Sequence, residues 1–281
     1  MDPDTAINRW SDSLVSRLQA ILVSIVLIAT MTLATYTHVI FVAVLVLVIQ
    51  AMIAAAPAPA DERGRSVASP RFAPAFAAGA LATILTLWPD LLGGAPGTTS
   101  TYSAISNGVL AGIMPGVALG VIVTLIAQMF RRDGRANLVL SVGYTVTLCM
   151  FATLPVAWLA ATQSFGRSIV VALGAVGVVV AMLVWAVPKD RFLVGVAAVL
   201  AAGLAGIGVA VVVPTVINVN LAFAAVTSGC AAFFAIIGLV VGRNWCRGRL
   251  RVADGWGFPS AIALAIAGPV VYVAGQLVSL A

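Results

Sequence analysis

Charge is what this sequence has least of. Of 281 residues, 15 are basic and 9 acidic, so 9% are charged, against roughly 25% in soluble globular domains. With 62% hydrophobic residues, that scarcity excludes an ordinary soluble domain and an intrinsically disordered chain. Cysteine is scarce as well. Cys149, Cys230 and Cys246 are too few for a disulfide scaffold, and no two share metal-ligand spacing. One histidine, His38, cannot build a multi-histidine zinc or haem site. There is no Gly-rich phosphate loop of the P-loop type and no Gly-x-Ser-x-Gly elbow, so neither an ATPase nor a serine hydrolase is supported. No catalytic residue, metal or cofactor is expected.

What the chain does have is long apolar runs. A bilayer-spanning helix needs about 20 mostly apolar residues. Nine such spans can be drawn, at 18–36, 38–56, 72–92, 105–130, 138–160, 168–187, 192–213, 220–241 and 258–280. The expected fold is therefore all-α: a polytopic transmembrane bundle forming one domain over 18–280, behind a cytoplasmic tail at 1–17. The run from Leu18 to Ala34 is longer than a signal-peptide core and reads as an uncleaved first helix. The longest polar stretch, Pro57 to Arg71, is a linker, and there is no room for a second, soluble domain. The short Tyr36-Thr37-His38 turn makes the first two helices an antiparallel hairpin.

The charges orient this bundle. With the N-terminus in the cytoplasm, every one of the 15 basic residues except Arg167 falls on the cytoplasmic side, as the positive-inside rule demands. The C-terminus is then outside. Arginine far outnumbers the single lysine, Lys189, and alanine and valine fill the spans, a composition that suits a high-GC bacterium and its inner membrane. No charge sits near the middle of a span. Intramembrane charges mark ion paths and proton relays, so their absence argues against a pump, an exchanger or a voltage sensor. It leaves transport of a neutral or lipidic solute open. The arginines are spread over several short loops, as lipid-facing anchors are, and do not suggest nucleic acid.

Two segments carry pattern. In the fourth span Gly108, Gly112, Gly116 and Gly120 recur every four residues, with Pro115 among them. Such a stripe lets another backbone approach closely, and Pro115 is expected to kink the helix. It is a packing seam with a bend, or an interrupted helix that offers backbone groups to a substrate. The last cytoplasmic loop gathers Arg243, Trp245, Arg247, Arg249, Arg251, Asp254 and Trp256. Arginine forks match phosphate oxygens and tryptophan favours the headgroup zone. That loop is either a topology anchor or a contact for lipid headgroups and phosphate. Serines and threonines within spans, such as Thr83, Thr86, Ser141, Thr145 and Ser228, are expected to bond to their own helix or to a neighbour.

Span count and length also describe the intramembrane prenyltransferases, whose two Asp-rich cytoplasmic motifs hold magnesium and diphosphate. Here the corresponding loops offer Asp61-Glu62 and Asp190, which cannot build that site. Two local stretches are closer to another family. Arg132-Asp133, followed by Tyr144, Leu148, Phe151-Ala152 and Leu154, and the terminal Ala267-Gly268-Pro269-Val270-Val271-Tyr272, resemble phosphatidate cytidylyltransferases. The family's signature loop carries a serine, lysines, a Gly-His-Gly-Gly turn and further aspartates. This chain has Asp254 and arginines there, and two-metal chemistry needs several convergent carboxylates. The resemblance implies a shared fold in a divergent member without that catalysis, and transfers no catalytic residue.

Three functions remain. One is a transport or membrane-assembly component with an apolar or lipidic ligand, which the residues favour. The others are an inactive cytidylyltransferase relative in phospholipid metabolism and a non-catalytic subunit of a membrane complex. Expected partners are membrane lipids and either another membrane protein or a second copy.

Overall fold

The computed structural model describes residues 21–58, 70–88, 91, 112–131, 137–163, 167–187, 191–212, 220–246 and 257–280. Among these residues there is no strand. The helices are α1 (Ile21–Thr35), α2 (Val39–Ala54), α3 (Phe72–Leu87), α4 (Ile113–Met129), α5 (Leu138–Thr153), α6 (Val156–Gln163), α7 (Arg167–Trp185), α8 (Arg191–Val212), α9 (Leu221–Cys246) and α10 (Phe258–Leu280). Four are long and apolar enough to cross a membrane: α5 continued by α6, α8, α9 and α10. Five shorter apolar helices accompany them.

Local chemistry explains where the helices stop. Thr37 Oγ1 and Thr37 N both donate to the Ala34 carbonyl, closing α1. His38 then caps α2, its Nδ1 accepting the Ile40 N–H at 3.2 Å. The lone histidine is thus a helix cap. Prolines bracket α3, which is shorter than the expected 72–92. Pro70 precedes it, and Trp88, the residue before Pro89, is driven out of helical geometry to φ −125 and ψ 76. At the start of α5, Asn137 takes a left-handed φ of 54, which asparagine tolerates better than most residues.

Two boundaries differ instructively from expectation. α9 runs on to Cys246 rather than ending near 241, because no proline or unpaired glycine interrupts it. A Cβ on Gly242 would lie 2.6 Å from Pro259 Cα, so α10 packs directly on this last turn. Arg243 and Trp245 are therefore helical residues, not loop residues. The second difference concerns proline. Pro115 is the third residue of α4 as described, and Gly116 N bonds Gly112 O at 3.0 Å. In a first turn the missing N–H costs no hydrogen bond. Among the described residues, the prolines that interrupt long helices are Pro155 and Pro269. Pro155 has no N–H for the Phe151 carbonyl, and Leu154 N takes it at 3.3 Å instead, parting α5 from α6. Pro269 lies inside α10 and leaves the Ala265 carbonyl without its helical donor.

Those two interruptions meet. Trp158, just past Pro155, is fully buried. Its Nε1 donates to the Leu264 carbonyl at 2.8 Å, beside the gap that Pro269 creates. Gly268 makes room for it: a Cβ there would sit 3.0 Å from Trp158 Cδ1. Polar groups must be satisfied within the protein in an apolar solvent, and the Leu264 carbonyl does this for the buried indole N–H. One continuous core joins α1, α2, α3, α5, α6, α7, α9 and α10. A small alanine cluster of Ala181, Ala198, Ala202 and Ala232 joins α7, α8 and α9. The outside is apolar too. Leu33, Met114, Val139, Phe192 and Leu204 are each at least two-thirds exposed, an exterior that water solvates poorly and lipid solvates well.

Candidate functional site

All described charges are arginines at helix ends. Arg71 is the N-cap of α3, Arg131 follows α4, Arg167 and Arg191 open α7 and α8, and Arg243 lies in the last turn of α9. Two of them, Arg71 and Arg131, are tied to one end of the bundle through a traceable set of contacts, and Arg243 ends α9 there. Arg71 Nε donates to the Ala56 carbonyl at 2.7 Å, just beyond α2. The next carbonyl, Pro57, accepts from the Tyr144 hydroxyl of α5. That hydroxyl in turn accepts the Trp245 indole N–H of α9 at 2.9 Å. One turn before Tyr144, Ser141 accepts from Gln128 Nε2 at 3.0 Å, and Gln128 Oε1 accepts from Arg131 Nη1 at 2.9 Å. Arg243 sits half-buried on the same turn of α9 as Trp245.

Aromatic rings floor this end. Trp245 lies 5.1 Å from Tyr144 and 6.1 Å from both Phe151 and Phe258, centroid to centroid. Tyr144 and Phe151 share a face of α5 because they are seven residues apart, two helical turns. The C-termini of α2, α4 and α9 all point to this end. Each carries an arginine nearby, as the negative end of a helix dipole favours. Arg71 bonds a carbonyl just past the end of α2, whereas Arg131 bonds the Gln128 side chain. Guanidinium forks placed near a largely buried aromatic cluster are groups that match phosphate oxygens.

The residues singled out from sequence fall into two groups. Arg243 and Trp245 belong to this end, whereas Arg247, Arg249, Arg251 and Asp254 lie outside the described residues, as does Gly108. Gly112, Gly116 and Gly120 form a close seam with α3 and α5. Cβ atoms on them would come within 2.7 Å of the Ala82 carbonyl, 2.6 Å of the Ala78 carbonyl, and 2.8 Å of Cys149 Sγ, respectively. The stripe is used for backbone contact. Sequence reasoning missed Arg71, Arg131 and Tyr144 as members of one site. Their spacing to Trp245 is long, 101 residues for Tyr144, and no local pattern encodes it.

A second polar group lies deeper. Gln50 of α2 and Thr83 of α3 are buried and doubly bonded: Nε2 donates to Oγ1 at 2.9 Å, and Oγ1 returns a bond to Oε1 at 3.1 Å. Gln163, at the end of α6, donates to the Thr86 carbonyl at 3.3 Å. All four side chains are neutral. Cys149 is buried with its Sγ 4.0 Å from Thr124 Oγ1, and among the described residues no group of His, Cys, Asp or Glu could hold a metal ion.

No protein-family model, no curated protein and no solved structure matches this chain.

Proposed function

We propose that this chain is an integral membrane protein of nine spans, N-terminus in the cytoplasm and C-terminus outside, that handles an anionic lipid at its cytoplasmic end. The membrane is the inner membrane of a bacterium, and the role is transport or membrane assembly. The observation that carries this reading is the run of contacts at one end of the bundle: Arg71 beside the Tyr144–Trp245 pair, Arg131 bonded to Gln128 and through it to Ser141, and Arg243 in the last turn of the helix that carries Trp245. Arg247, Arg249 and Arg251 follow within eight residues of Arg243 in the chain. An anionic headgroup would meet the arginines while its chains met the apolar flank of the bundle.

The test compares the purified protein in nanodiscs of zwitterionic lipid alone and with phosphatidylglycerol added. Near a membrane surface each basic residue contributes about 1 kcal/mol of attraction to anionic lipid. Phosphatidylglycerol should raise the thermal midpoint of the wild type. The rise should shrink stepwise as Arg243, Arg247, Arg249 and Arg251 are changed to glutamine. A midpoint indifferent to phosphatidylglycerol would sink the proposal.

A further inference from the structure

Two buried threonines of α3, Thr83 and Thr86, meet Gln50 of α2 and Gln163 of α6. Gly79, Thr83 and Thr86 recur at helical spacing on one face of α3, and that face meets α2, α5 and α6. A Cβ on Gly79 would lie 2.7 Å from Gln50 Cδ and 2.9 Å from the Ala152 carbonyl, so glycine is what lets the glutamine lie flat against the helix. Gln50 and Thr83 then satisfy each other. Thr86, one turn on, is different. It is as buried as Thr83, yet among the described residues its Oγ1 has no hydrogen-bond partner.

That is unusual for this protein as well as in general. Thr124, Thr145, Thr153 and Thr162 each turn the hydroxyl back to a carbonyl in the preceding turn of their own helix. Thr86 does not, although the same device is open to any helical threonine. A buried hydroxyl left unpaired is costly, and such a group in a folded protein calls for an unseen partner. Beside it, the Gln163 carboxamide reaches the Thr86 carbonyl, an orphan acceptor at the C-terminus of α3. A hydroxyl and a carboxamide therefore lie together. α3 carries Thr86 near the end opposite Arg71, so this pair is remote from the arginine cluster.

We propose that Thr86 and Gln163 bind a small uncharged hydrogen-bonding molecule, either water or a compact neutral amide. Both groups are neutral, a hydroxyl and a carboxamide, and each can donate to or accept from an uncharged partner. The ligand accepts from, or donates to, Thr86 Oγ1 and shares the Gln163 amide. The site is separate from the lipid-facing arginine end and stands or falls independently of it.

The experiment follows the Gln163 side-chain amide by NMR in nanodiscs, with glutamine labelled and assigned by Gln163→Glu. A cross-peak to water identifies water as the occupant. A saturable shift on adding formamide identifies a neutral amide. Either signal is expected in the wild type and in Thr86→Ser, which keeps the hydroxyl. Both should be lost in Thr86→Val, which keeps the shape and removes the hydroxyl. Absence of both signals in the wild type overturns the proposal. So does a signal that survives unchanged in Thr86→Val, because it would then come from bulk solvent or non-specific solute.

Discussion

The helices α2 to α6 and the helices α7 to α10 solve one problem in two ways. Inside a bilayer, helices gain little from apolar contact with each other, because lipid is just as apolar. The second group relies mainly on close backbone approach. Gly177 lies against the Ser228 backbone, Gly238 against Ala263 and Ile262, and Gly242 against Pro259. It also uses a side-chain bond between helices, from Ser228 Oγ to the Leu173 carbonyl. The first group has its own glycine seam at Gly112, Gly116 and Gly120, and adds neutral polar pairs: Gln50–Thr83, Gln128–Ser141 and Gln163 with Thr86. The difference separates scaffold from chemistry. Polar atoms that packing does not require are concentrated in α2 to α6, and both proposed binding points draw on them.

Trp158 is a fully buried residue that joins the two groups, so its loss should have the largest effect. Trp158→Ala removes a fully buried indole and its bond to the Leu264 carbonyl. Truncations of this kind cost about 3–5 kcal/mol, and the variant is expected to lose its monodisperse peak in mild detergent. Trp158→Phe keeps most of the volume and should cost about 1 kcal/mol, the net worth of one hydrogen bond. Equal behaviour of the two variants would show that the bond, not the packing, holds the halves together.

A smaller effect tests the scaffold half alone. A Cβ on Gly238 would be 2.6 Å from Ala263 Cα and 2.8 Å from the Ile262 carbonyl, whereas Gly208 has nothing within 4 Å. Gly238→Leu must push α9 from α10, at about 1–3 kcal/mol for overpacking. Gly208→Leu should be silent in a thermal unfolding assay. If both were silent, backbone approach would not be what binds this half.

The apolar stretches were plain in the sequence because hydropathy along a chain needs no knowledge of neighbours. The arginine pattern was equally plain, and every described charge lies at a helix end. Rotation about each helix axis was not legible. In a soluble helix the polar face reveals the buried one; here both faces are apolar, so Leu204 outside and Leu148 inside read alike. Proline was only partly legible for a related reason. Pro115 stood out because glycines surround it, while the meeting of the Pro155 and Pro269 segments depends on Trp158, which bonds across helices distant in sequence. The arginine end was half legible: Arg243 and Trp245 stood out, but their meeting with Tyr144 and the Pro57 carbonyl depends on three-dimensional packing.

The finest test of the comparison is the Gln50–Thr83 pair. If α2 to α6 are held by polar ties as well as by packing, the pair must carry coupling energy of its own. Interhelical side-chain bonds in membranes are worth about 0.6 kcal/mol on average, because separated helices in lipid find other partners for the same groups. Gln50→Leu and Thr83→Val each leave one buried polar group unmatched, so each single variant should be less stable than the double variant predicts by simple addition. The double variant removes both groups and leaves an apolar contact beside Gly79, so it should recover part of the loss. Unfolding in mixed micelles by a graded denaturing detergent measures all four corners of the cycle. Zero coupling would mean that packing alone fixes α2 on α3. The polar track would then be free of any structural duty, and ligand binding would be the remaining reason to keep Gln50 and Thr83 polar.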